Sequence, residues 1–96
     1  MSIILTARFE VQADKLAICE QAIREFVEYE PDTLQYTSVQ EKDIPTQFLH
    51  YSIFRDEQAR ENHSNSDAVD RFTAALYPNL VEPVRFTEHG LFATTV

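Results

Sequence analysis

Apolar and polar positions alternate from Ile3 to Val11: Ile3, Leu5, Ala7, Phe9 and Val11 share one side, and Ile4, Thr6, Arg8 and Glu10 the other. A period of two sustained this long predicts a strand. The period then changes. Leu16, Cys19, Ile23, Phe26 and Val27 recur in steps of three and four, which makes one stripe of a helix. Asp14 is placed to cap that helix and Pro31 to stop it, because a residue before proline resists the α region. Glu20 and Arg24 sit on its outer face at a supportive spacing. Cys19 lies on the stripe and reads as an inert core thiol.

Residues 33–41, TLQYTSVQE, are β-branched and aromatic and predict a second strand; 42–47 is a turn by its Asp and Pro content. Residues 47–55 predict a third strand. It carries Leu49, Tyr51 and Ile53 on one face and Phe48, His50 and Phe54 on the other. Asp56 opens a short helix, DEQAREN. A polar run, ENHSNSD at 61–67, interrupts the helical region, which resumes with Val69, Phe72, Ala75 and Leu76 on one side and ends at Pro78. Pro83 precedes a last strand over 84–96.

The order strand, helix, strand, strand, helix, strand predicts an α+β, ferredoxin-like βαββαβ sandwich with both helices on one face of an antiparallel sheet. A third strand that is apolar on both faces needs cover on both. The helices cover one face, so a second copy packed sheet on sheet is expected to cover the other, giving a homodimer.

The 96 residues suit a single domain, 1–96. A net charge of −8 repels phosphate backbones and anionic membrane surfaces, so neither nucleic acid nor membrane is expected as a partner. One cysteine allows no internal disulfide, and the N-terminal residues lack the pattern of a signal peptide. A cytoplasmic protein is the expectation. Seven Phe and four Tyr are many for this length and suit a pocket for a flat ligand or an interface.

His63, inside the polar run, is the leading candidate for chemistry. Aimed into a cavity by the helix break, its imidazole can accept a phenolic proton near working pH. The alternative is structural. Ser64 and Asp67 have capping-box spacing, Ser66 is a second possible cap, and His63 then merely ends the preceding helix near its negative dipole end. Tyr36, His50, Tyr51, Phe54 and Phe72 are the candidate substrate-binding residues, with Tyr77 a further aromatic. Each can equally be core, sheet or interface. His89 is expected at the surface or an interface. Arg8 is expected to face a partner subunit; Arg8 and Arg85 are the arginines that a strand could turn toward an oxyanion. The three histidines lie on three elements with no HxH, HxxxH or HExxH pair, and there is no Gly-rich phosphate loop. Neither a metal nor a nucleotide is expected.

Leu34, Tyr36, Phe54, Asp56, Ala59, His63, Ser66 and Phe72 fall in an order and spacing that resemble the antibiotic biosynthesis monooxygenase (ABM) domain family. The resemblance covers nearly the whole chain. It implies a dimeric α+β barrel that oxidises a small phenolic or quinol-like aromatic with dioxygen, without metal or flavin, with a pocket histidine where His63 stands. Some relatives degrade haem. The chain has no tryptophan, carries Thr6 and Ala7 where those relatives use asparagine, and has Thr73 where their haem-ligating histidine falls. Ser52 replaces a glutamate common in the family, and Ala68 a second histidine. The expectation is a cofactor-independent monooxygenase acting on a quinol or anthrone-like aromatic. The alternatives are an isomerase of a small sugar or lactone on the same scaffold, and a non-catalytic small-molecule-binding module.

Overall fold

A computed structural model describes residues 2–29 and 32–95. Strand β1 (Ile3–Glu10) leads through a 3-10 turn (Ala13–Lys15) into helix α1 (Leu16–Tyr29). Strands β2 (Gln35–Gln40) and β3 (Gln47–Phe54) form a hairpin. Helices α2 (Glu57–Ser64) and α3 (Asp67–Leu76) follow, then a 3-10 turn (Tyr77–Asn79) and strand β4 (Arg85–His89). The strands make one sheet in the order β2-β3-β1-β4, with every pair antiparallel. This is the ferredoxin-like α+β sandwich expected from the pattern of elements.

Register decides what the helices see. Phe9 pairs with Phe48, Ala7 with His50 and Ile3 with Phe54 across β1 and β3. Because side chains alternate along a strand, these residues share one face. Phe9, Val11 and Phe48 pack there with Cys19 and Ile23 of α1 and Leu76 of α3 as the main core. Cys19 is fully buried, and burial pushes its thiol pKa up. Leu16, Cys19, Ile23 and Phe26 hold the predicted helix stripe. Val27, in the last turn of α1, is exposed.

Several predicted boundaries change. Asp14 lies inside the 3-10 turn and caps nothing; the cap position there belongs to Gln12, which makes no side-chain capping bond. The predicted helix stop at Pro31 lies outside the described residues. Asp32 just beyond has φ 65°, a left-handed conformation that aspartate tolerates better than most residues. The last strand ends at His89, well short of 96. His89 pairs with Ile4, close to the start of β1, so a longer β4 would run past the end of its neighbour. Leu91 and Phe92 are left exposed.

The other sheet face carries Leu49, Tyr51 and Ile53 of β3, flanked by Arg8, Thr6 and Ile4 of β1 and by Val39, Thr37 and Gln35 of β2. Arg85 of β4 stands beside Arg8 there. The helices pack on the opposite face; on this one Ile4 is buried, while Leu49, Tyr51 and Ile53 stay partly exposed.

Candidate active site

The helix break builds the site. Asp56 caps α2: its Oδ1 accepts a 2.9 Å hydrogen bond from the Ala59 amide, which holds the carboxyl below its ordinary pKa. Ser66 caps α3, accepting from the Val69 amide at 3.2 Å. The same hydroxyl donates to the carbonyl of His63 at 2.7 Å. One serine therefore ties the end of α2 to the start of α3 and fixes the backbone that carries His63. Ser64, expected as a capping-box residue, is instead the last residue of α2.

His63 is half-buried and turns inward. Its ring lies edge-on to Phe54 with centroids 4.9 Å apart, and it also meets Phe26 at 5.8 Å and Tyr36 at 5.9 Å. It lines a cavity of about 230 Å³ between the sheet and the helices. Ala7, Phe9 and His50 form the floor. Tyr36 and Phe26 stand at one side, and Val69, Phe72, Thr73 and Leu76 of α3 form the roof. Phe26 and Phe72 stack at 4.4 Å. The mouth lies at Tyr77, Val84 and Phe86, which also border an open groove outside.

His50 is the most unusual member. It is 3% exposed. Its neighbours in register are Ser38 on β2 and Ala7 on β1, both small. Tyr36 Oη and His50 Nδ1 are hydrogen-bonded at 2.8 Å. Nε2 is buried with no partner among the described residues. Phe9 meets the ring edge-on at 4.9 Å and Phe72 lies nearly parallel to it at 5.8 Å. Burial lowers the pKa of His50 to about 4, so the imidazole is neutral near pH 7.

The structure thus brings Tyr36, His50, His63 and Phe72 to one cavity. Phe54 does not line it; fully buried, it backs the ring of His63. Tyr51 is not brought there at all. It neighbours His50 in sequence, and adjacent strand residues point to opposite faces, so it stands on the open face between Thr6 and Thr37. Arg8 and Arg85 also lie on the open face, away from the cavity. His89 is at the surface, with Nε2 2.8 Å from Thr6 Oγ1. Among the described residues no three His, Cys, Asp or Glu side chains converge on a point.

Reasoning from sequence missed Phe26, Phe86 and above all Ala7, whose small side chain makes the floor. Alanine on an otherwise bulky strand face was the available signal. Ala7→Phe is expected to fill the cavity and weaken binding of any ring ligand by at least roughly a hundredfold, since two rings cannot share the space. Ligand titration against wild type checks this, with circular dichroism confirming the fold.

A cage of aromatic rings enclosing two imidazoles, roofed by helices on an antiparallel sheet, defines a small-molecule site in a ferredoxin-like scaffold. The family model for antibiotic biosynthesis monooxygenase matches residues 2–75, and the chain belongs to that family. Solved structures agree in fold. One antibiotic biosynthesis monooxygenase is 17% identical over 95% of this chain and 99% of its own, with a TM-score of 0.88. PA3566 from Pseudomonas aeruginosa is 23% identical over 96% and 95%, with a TM-score of 0.80. A variant of SnoaB, a cofactor-independent oxygenase from Streptomyces nogalater, is 15% identical over 98% and 96%, also at 0.80. At these identities the likeness speaks to the fold. A search of curated proteins finds no significant match.

Proposed function

We propose that this chain is a cofactor-independent monooxygenase of a small quinol-like or enolisable aromatic, with His63 as the general base. The observation that carries the reading is the position of His63: a helix break, tied by Ser66, holds its imidazole at the wall of an aromatic cage. The likeness to SnoaB, a cofactor-independent oxygenase, supports the same class.

The chemistry follows from deprotonation. His63 takes the proton of the substrate hydroxyl, and the resulting anion delocalises its charge onto a ring carbon that still bears hydrogen. Electron transfer to dioxygen and radical recombination form a carbon–oxygen bond there. The peroxide takes back the proton from His63. Loss of the ring hydrogen with the terminal hydroxide, together one water, leaves a new carbonyl. One oxygen atom of dioxygen stays in the product and the other leaves as water. The aromatic walls exclude bulk water from the anion and keep its electrons for dioxygen.

Size bounds the substrate. A dry cavity of about 150 Å³ holds benzene, so about 230 Å³ suits one substituted ring or two fused rings. A three-ring anthrone needs the outer groove past Tyr77 and Phe86 as well.

The open sheet face supports a homodimer, since Leu49, Tyr51 and Ile53 gain cover only from outside the described residues. No helix among the described residues is long and apolar enough to cross a membrane. A cytoplasmic dimer remains the proposal. Protein-dependent dioxygen uptake with one- and two-ring quinols tests the activity.

A further inference from the structure

We infer that His50 acts as a neutral hydrogen-bond donor, offering Nε2–H to a carbonyl or oxyanion oxygen of the ligand, and that the site therefore selects ring ligands bearing such an oxygen. The inference rests on the cavity being the ligand site proposed above, and it assigns a role separate from that of His63.

Three observations lead to it. First, Tyr36 Oη bonds His50 Nδ1 at 2.8 Å. A phenol is a stronger proton donor than a neutral imidazole, and an imidazole nitrogen is a stronger acceptor than a phenol oxygen. The hydroxyl therefore donates to Nδ1, and the imidazole proton is placed on Nε2. Second, Nε2 is buried and no atom of the described residues bonds it. A buried donor without a partner is costly to retain, and the cost is recovered when a ligand oxygen accepts from it. Third, His50 lines the cavity and the faces of its ring are packed mostly by carbon. Phe9 and Phe72 meet the ring and Ala7 and Ser38 flank it in register; His63, Ser64 and Thr73 line the same cavity, and none of them bonds Nε2. Burial also keeps the ring neutral near pH 7, so it donates without carrying charge.

The consequence for the proposed reaction is a division of labour. Where His63 removes a proton, charge develops on the substrate oxygen, and a fixed donor at that oxygen stabilises the anion. Tyr36 is a positioning residue in this scheme: it holds the tautomer of His50.

The test uses two ligands of nearly equal shape that need no turnover. 1-Tetralone carries one carbonyl; tetralin carries none. Nitrogen-15 NMR of the wild-type protein is expected to show a protonated Nε2 and an unprotonated Nδ1 at His50. 1-Tetralone is expected to shift the Nε2–H signals and to bind roughly tenfold tighter than tetralin. That preference is expected to vanish in His50→Phe, which keeps a ring and loses the donor. Tyr36→Phe is expected to free the tautomer and reduce the preference. A protonated Nδ1 in the wild type overturns the inference, as does equal binding of the two ligands. Neither of these wild-type readouts depends on the variants folding. Dioxygen uptake without ligand discrimination would sink the His50 role and leave the oxygenase standing. Discrimination without uptake would do the reverse.

Discussion

Replacing His63 with alanine is expected to lower dioxygen uptake by roughly 10²- to 10⁴-fold, the usual contribution of a general base. The loss should fall on kcat more than on KM. The cage of Phe26, Tyr36 and Phe72 still holds the ring, whereas the proton has nowhere to go. His63→Gln separates two roles. Glutamine keeps a polar group at the end of α2 but does not take up a proton near neutral pH. Equal loss in both variants supports the base. Recovery in the glutamine variant would mean that His63 only orients the substrate. Thermal unfolding of both variants should stay within a few degrees of wild type, because His63 is half-buried and the helix junction is held by Ser66.

The second large effect is acid lability through His50. Its pKa is about 4 in the folded chain against an ordinary 6.5, with burial as the cause. Between those values the unfolded chain binds a proton that the folded chain refuses. Stability is therefore complete above about pH 6.5, falls as the pH drops toward 4, and levels off below it. The full loss is on the order of 3 kcal/mol, since each pH unit between the two values is worth about 1.4 kcal/mol. That is large for a domain whose total stability is about 5–15 kcal/mol. Tyr36, His63 and Tyr77 are the other titratable groups that line this cavity among the described residues. Urea unfolding at pH 7.5, 6.0 and 5.0 checks the sign. Wild type should weaken steadily, and His50→Leu should show a much shallower slope over the same range. Equal slopes would place the titrating group elsewhere.

Much of the fold was legible because it rests on local periodicity. The alternation from Ile3 to Val11 and the stripe Leu16, Cys19, Ile23, Phe26 each identify their element without tertiary help. The order of elements then restricts the sandwich. The errors fall where pairing decides. β4 stops at His89, where Gly90 follows and where β1 begins opposite it. Nothing local makes Ser66 the cap in place of Ser64, since both precede acids and apolar positions.

The site was legible in part. His63 stood out because a histidine in a polar break needs a reason beyond capping, and Tyr36 and Phe72 came with the family resemblance. Tyr51 stands apart from the cavity because His50 and Tyr51 are consecutive on a strand and only one of them can face the helices. The bond between Tyr36 and His50 was not readable from the chain. It joins residues two steps apart on neighbouring strands, and only the register Tyr36 opposite Ser52 brings them together. Ser52 lies on the same strand face as His50.

The most direct measurement is turnover of a two-ring quinol under ¹⁸O₂, with oxygen uptake recorded and the product analysed by mass spectrometry. Protein-dependent uptake is expected, with one labelled oxygen atom in the product and the other in water. Uptake that yields labelled hydrogen peroxide and an unlabelled quinone would contradict it, because the protein would then be promoting oxidation without inserting oxygen.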